Sequence, residues 1–135
     1  MGKVKTLLNS KNSFLKFISP HSSIAEALYC MSTQRTEYLI VVEDDHFLGV
    51  ITEHDILTRA ILKDLSLSKT PVSQLMNVLL PVASIDESIE DCLERMSQYN
   101  VRLLPVFEDG IHFKGVISSN DIFKEIALKR KEVFN

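Results

Sequence analysis

The sequence predicts an α+β fold made of two β-α-β-β-α repeats, and two observations carry that prediction. The first is an internal repeat: Gly49-Val50-Ile51-Thr52-Glu53-His54-Asp55-Ile56 returns as Gly115-Val116-Ile117-Ser118-Ser119-Asn120-Asp121-Ile122. A shift of 65 positions lays Ser23-Ile24 on Ser88-Ile89, Leu28 on Leu93, Met31-Ser32 on Met96-Ser97, Leu39 on Leu104 and Val41 on Val106. The second is that each copy carries one run of helical apolar spacing followed by two β-type apolar runs.

The elements follow in order. Each copy opens on one helical turn, Val4-x-x-Leu7-Leu8 or Val72-x-x-Leu75-Met76, ahead of an extended segment, residues 14–19 or 80–84. Ser23-x-x-Glu26 then forms a capping box, in which a hydroxyl and a carboxylate satisfy each other's backbone N–H groups at a helix start. Ile24, Ala27, Leu28 and Met31, mirrored by Ile89, Cys92, Leu93 and Met96, give that helix one apolar face. Residues 38–42 and 47–51 make a hairpin, as do residues 103–107 and 113–117 about a turn containing Asp109-Gly110. Pro105 has no N–H to give a ladder, so its strand is expected at a sheet edge or at a bulge. Gly49 and Gly115 mark either a bulge or a place where a ligand approaches the backbone. Closing helices are expected from residue 55 to about 63 and from 121 to about 131, with residues 64–70 as the linker.

This divides the chain into residues 1–66, the first repeat with its lead-in, and 67–135, the second with its C-terminal helix. A copy of about sixty residues hides only about 60% of its unfolded surface. The two are therefore expected to pack about a shared pseudo-twofold axis, with clefts between them of the kind small molecules occupy.

Composition excludes several functions. With 45% hydrophobic and 24% charged residues the chain is globular, and a net charge of −3 gives no general attraction to nucleic acid or to an anionic membrane. No apolar run reaches the ~18–20 residues a bilayer span needs, so the expected location is cytoplasmic. Cys30 and Cys92 fit neither a metal spacing nor a redox pair and read as structural thiols. Four glycines leave little room for a phosphate-binding loop, and no nucleophile–base set stands out. No catalytic residue and no metal site is assigned; an enzyme is not expected.

The repeated Gly-Val-Ile-Ser/Thr-x-x-Asp motif with its preceding apolar hairpin resembles the CBS domain, and two copies in one chain look like a CBS pair, over about residues 4 to 130. The resemblance implies a regulatory module, often a disc-shaped homodimer, that binds AMP, ADP or ATP between the repeats and signals to a protein partner, with no cofactor required. AMP is the first expectation. The alternative is an assembly or adaptor module whose clefts bind nothing and which acts through dimerisation.

Residue by residue, the resemblance assigns the ribose hydroxyls to Asp55 and Asp121, whose carboxylates would accept both hydroxyl protons. It places the hydroxyls of Thr52 and Ser118 near ribose or phosphate, at a helix start where free N–H groups favour an anion. Arg102 matches the position that grips phosphate, for which a planar fork of donors is suited. Its counterpart is Glu37, which would repel phosphate, so the second copy is expected to be the better site. His54 stands where relatives carry Arg, which argues against tight triphosphate binding. The segment from Val82 to Ser84 would hold adenine. Without any ligand, Thr52-x-x-Asp55 and Ser118-x-x-Asp121 are also capping boxes, and the two roles are compatible.

Overall fold

A computed structural model describes residues 2–11 and 15–134; Phe14, the first residue of the expected extended segment, lies outside them. In chain order the elements are α1 (Val4–Ser10), β1 (Phe17–Ile18), α2 (Ile24–Gln34), β2 (Tyr38–Glu43), β3 (His46–Thr52), α3 (Glu53–Ile56), a π-helical turn (Leu57–Ile61), α4 (Val72–Leu75), β4 (Ala83–Ser84), α5 (Ile89–Tyr99), β5 (Leu103–Glu108), β6 (His112–Ser118) and α6 (Ser119–Phe134). They form two three-stranded sheets, β1-β2-β3 and β4-β5-β6. In each, a two-residue strand pairs parallel with the first strand of an antiparallel hairpin. The α+β repeat expected from the sequence is therefore present twice.

Repeat and compact unit are different divisions of the chain. Residues 15–79 form one unit, and residues 1–14 with 80–135 form the other. The cause is the apolar face of the two lead-in helices. Val4 and Leu7 of α1 are buried among Ile85, Ile89, Leu104 and Ile117, whereas Val72 and Leu75 of α4 are buried among Ile24, Met31, Leu39 and Ile51. Matching backbone bonds fix both docks: Val4 N donates to Glu87 O at 3.0 Å, and Val72 N to Ser22 O at 2.7 Å. Each lead-in helix thus completes the copy that it does not precede in sequence.

Helices α2 and α5 each begin on a serine cap, but the reciprocal half of the box expected at Ser23-x-x-Glu26 is not formed, since Glu26 Oε1 meets the Ser23 hydroxyl at 3.3 Å and not its backbone N–H. Ser23 Oγ accepts from Glu26 N and Ser88 Oγ from Asp91 N, both at 3.1 Å, satisfying one free N–H at each start. Both end on a residue in the left-handed region, Arg35 (φ 52°) and Asn100 (φ 53°). Asparagine tolerates that conformation better than arginine.

Three features differ from expectation. Pro105 lies in β5, the central strand of its sheet, not at an edge. The other expectation, a bulge in this strand, does hold, with the register shifting between Val106 and Phe107, although the same shift between Val41 and Val42, where there is no proline, means that proline is not its cause. What the missing N–H removes is a rung. Ile40 N donates to Lys16 O at 2.8 Å and β1 pairs from Phe17↔Ile40 onward, whereas β4 pairs only from Ala83↔Val106. The first closing helix is not regular: it widens after Ile56, with Leu62 N donating to Leu57 O at 3.1 Å and Leu65 N to Ala60 O at 2.9 Å. The second, α6, is an α-helix that starts at Ser119, two residues earlier than expected.

The glycine motif has its explanation here. A Cβ built on Gly49 would stand 2.4 Å from the carbonyl oxygen of Asn77, whose backbone pairs with Val50 in both directions, at 2.8 and 3.1 Å. The close approach is made by the chain itself. Gly115 has φ 152°, a backbone conformation that side chains disfavour.

Of the two thiols, Cys92 is fully buried, and that burial pushes its pKa up to about 11; Cys30 is partly exposed. Thiolate is the reactive form. In native protein at pH 8, a chromogenic disulfide reagent is expected to modify Cys30 while Cys92 reacts only after denaturation. Rapid modification of both thiols in folded protein would contradict the burial of α5.

Candidate functional site

Both Ser/Thr-x-x-Asp segments fold as turns that pass from a strand into a helix, and both are reciprocal capping boxes. In the unit of residues 15–79, Asp55 N donates to Thr52 Oγ1 at 3.0 Å and Thr52 N to Asp55 Oδ2 at 3.2 Å. In the other unit, Asp121 N donates to Ser118 Oγ at 3.1 Å and Ser118 N to Asp121 Oδ2 at 2.8 Å. The capping role open from the sequence is realised twice. It uses one carboxylate oxygen in each copy.

What surrounds the two carboxylates differs. Asp55 is buried, and its Oδ2 also accepts the Thr52 hydroxyl at 2.7 Å and the side-chain amide of Asn77 at 2.6 Å. Asn77 is delivered by α4, whose last carbonyl, Leu75 O, is held by Arg59 Nη1 at 2.8 Å. Asp121 is only partly buried. In place of the neutral amide it meets an ammonium, Lys11 Nζ, at 2.9 Å, delivered by α1. Lys11 also donates to Val116 O at 2.8 Å. Among the described residues neither Asp55 Oδ1 nor Asp121 Oδ1 has a donor, so each copy keeps one carboxylate oxygen free; the difference is that Ser118 keeps its hydroxyl hydrogen, which Thr52 gives to Asp55.

The remaining expected site residues divide as follows. Arg102 is exposed, and its carbonyl accepts from Ser119 N at 2.8 Å, which anchors it at the foot of the Ser118–Asp121 turn. Its guanidinium has no ion-pair partner among the described residues. Glu37 stands in the matching place, its carbonyl accepting from Glu53 N at 3.0 Å. His54 is exposed, and its carbonyl accepts the Thr58 hydroxyl at 2.8 Å. One copy therefore carries Lys11 at its aspartate and Arg102 at the foot of its turn, and the other carries Glu37 and Glu53 at the matching turn, with its arginine, Arg59, held on Leu75 O. Only the first set has cations in excess.

Val82 and Ser84 are not joined to that turn by any hydrogen bond. They flank the far side of β5, where Arg95 and Glu87 hold them: Arg95 Nη1 donates to Val82 O at 2.8 Å and to Glu87 Oε1 at 2.9 Å, and Ser84 N donates to the same Glu87 oxygen at 2.8 Å. The Arg95 guanidinium lowers the Glu87 pKa, and the carboxylate raises that of Arg95. Two backbone groups that the sequence reading offered to adenine are thus engaged by the chain's own side chains.

Lys11 and Asn77 escape the sequence reading, which looks for site residues within each repeat. The signal that could have found them is the recurrence of the lead-in helix itself, Val4-x-x-Leu7-Leu8 and Val72-x-x-Leu75-Met76. Among the described residues no group of His, Cys, Asp and Glu is arranged to hold a metal ion, and no helix is long and apolar enough to cross a membrane.

The fold and the doubled turn define a tandem repeat module, and comparison with known proteins agrees. The family model for the CBS domain matches residues 11–61 and 72–128, and the chain belongs to that family. The chain is 29% identical over 105 residues to the CBS domain-containing protein YhcV of Bacillus subtilis, covering 78% of this chain and 74% of that one. It is 31% identical over 117 residues to a homoserine O-acetyltransferase of Methanosphaerula palustris, covering 86% of this chain but 23% of the relative. For this and two other curated relatives it matches, the chain spans only 16–23% of their length. Among solved structures, the CBS-domain containing protein ATU1752 from Agrobacterium tumefaciens superposes with a TM-score of 0.82 at 26% identity, over 91% of this chain and 98% of that one. The CBS domain protein PAE2072 from Pyrobaculum aerophilum, solved complexed with AMP, shares the fold at a TM-score of 0.75 and 21% identity, over 88% of each chain.

Proposed function

We propose that this chain is a regulatory module that binds an adenosyl ligand, AMP before ADP or ATP, on the turn from Ser118 to Asp121, and passes the event to a protein partner through a change in conformation or in homodimer assembly. The observation that carries this reading is the difference between the two turns. Each copy keeps a free carboxylate oxygen, but the Asp121 copy also has a free hydroxyl hydrogen and two cations, whereas the Asp55 copy spends its hydroxyl and an amide on the carboxylate and carries Glu37 and Glu53 at the matching turn. A ribose diol needs carboxylate acceptors and a phosphate needs cations. The fold shared with an AMP-bound protein is consistent with this choice of ligand. Assembly of two chains into a disc and a cytoplasmic setting belong to the same proposal.

Ligand that binds only the folded state raises its stability in proportion to ln(1 + [L]/Kd). Millimolar AMP is expected to raise the melting temperature of the purified protein by several degrees, and Asp121→Ala to remove most of that increment while Asp55→Ala leaves most of it. Absence of any increment with AMP, ADP or ATP would leave the ligand-free assembly module as the function.

A further inference from the structure

The geometry points to Lys11 as the group that makes the Ser118–Asp121 turn select a phosphorylated nucleoside over an uncharged one; the inference rests on the adenosyl-ligand reading above. Lys11 lies more than a hundred residues from Asp121 in the chain and outside the repeated motif, yet its ammonium is one of the two cations at that turn. It sits 2.9 Å from Asp121 Oδ2 and 2.8 Å from Val116 O, with its side chain 16% exposed and that of Asp121 19% exposed. An ammonium has three donors. One N–H donates to Val116 O and the charge pairs with Asp121, which leaves the ammonium donor capacity for a further acceptor.

The two carboxylates are approached from corresponding lead-in helices, though not by corresponding residues: the alignment that lays Val4 on Val72 lays Asn9, not Lys11, on Asn77. In the other unit, α4 delivers Asn77 to Asp55 and to the backbone of Val50; here α1 delivers Lys11 to Asp121 and to the backbone of Val116, the residue matching Val50 in the repeat. The same position relative to the carboxylate is neutral in one copy and positive in the other. An amide beside the aspartate serves a capping box well. A cation adds something that the cap does not need, because Ser118 N–H already satisfies the same oxygen at 2.8 Å.

With Lys11 on Oδ2, a ribose diol is left Oδ1 as its acceptor. A diol held there carries its 5′ substituent one sugar ring away, within the surroundings that Lys11 and Arg102 make positive. Partly buried, the ammonium is screened less by water than the exposed Arg102, so its attraction for a phosphate is the less diluted of the two. Adenosine offers the same diol and base but no charge. Lys11 should therefore bear on AMP and leave adenosine almost untouched.

Titration calorimetry of the full chain with AMP and with adenosine tests this in three proteins: unsubstituted, Lys11→Met and Lys11→Arg. Lys11→Met keeps the length of the side chain and removes its charge. It is expected to weaken AMP about tenfold, the size of one charge-assisted hydrogen bond, with adenosine changed less than about twofold, and Lys11→Arg is expected to restore most of the preference. Equal weakening of both ligands would make Lys11 a structural tether of α1 and overturn the inference. Equal tightening of both would make it an occupant that ligand must displace, which also overturns it. If the unsubstituted protein binds neither ligand, the adenosyl reading falls and takes this inference with it; if it binds both but Lys11→Met leaves their ratio unchanged, only the inference about Lys11 falls.

Discussion

Gly49→Ala is expected to lower the unfolding free energy by about 1–3 kcal/mol, the range for forcing extra volume into a packed site. The added methyl would lie 2.4 Å from the Asn77 carbonyl oxygen, a backbone atom that has no rotamer into which to retreat. Relief must come from moving the strand or the segment after α4, and either opens the paired bonds between Val50 and Asn77. The damage should also spread to Asp55, because the Asn77 amide that it accepts is held in place by that pairing. Gly110→Ala supplies the comparison. Nothing lies within 4 Å of a Cβ there, so only the positive φ of +70° is at stake, at about 1–2 kcal/mol. Urea denaturation of the two variants separates the causes. A Gly49→Ala protein as stable as the original would mean that Asn77 does not dock against β3 as described.

The parts of this structure that could be read from the chain are those in which sequence neighbours act together. Hairpins, caps and helix faces recur at nearly the same shift because each is written in residues a few positions apart, and Ser23 and Ser88 each cap the helix that follows. Pro105 was legible as a lost donor but not as a central-strand residue. Which strand is central depends on β4, only two residues long, docking alongside β5. The widening of the first closing helix left no mark in the pattern of apolar residues. The candidate site was half legible. Its aspartates, hydroxyls and Arg102 lie in or beside the repeat, but the residues that make its two copies unlike, Lys11 and Asn77, arrive on helices that pack across the repeat boundary. A pattern search within one copy cannot see a contact whose partner is set by the burial of Val4 and Leu7 or of Val72 and Leu75.

That inequality predicts opposite consequences for the same substitution. Asp55→Ala is expected to destabilise the fold by about 2–4 kcal/mol, since it leaves the Thr52 N–H, the Thr52 hydroxyl and the Asn77 amide without their shared acceptor in a buried setting. Asp121→Ala should cost less, because Asp121 is more exposed and water can replace it around Lys11, but it should cost more in ligand binding. A double-mutant cycle of Asp55→Ala with Asn77→Ala, read by denaturation, isolates the local contribution and is expected to show a coupling of about 1–3 kcal/mol, as for residues that share one hydrogen-bond network. The Asp121 copy can give up its carboxylate and stay folded because α1 is anchored by buried Val4 and Leu7, whatever Lys11 does. A protein in which Asp121→Ala unfolds the chain and Asp55→Ala abolishes nucleotide response would reverse the assignment of structural and binding roles. Asp55 is tied through one oxygen into three hydrogen bonds of the fold, and Asp121 into one hydrogen bond from outside its own helix and one ion pair, so the same truncation is expected to cost the first copy stability and the second copy ligand binding.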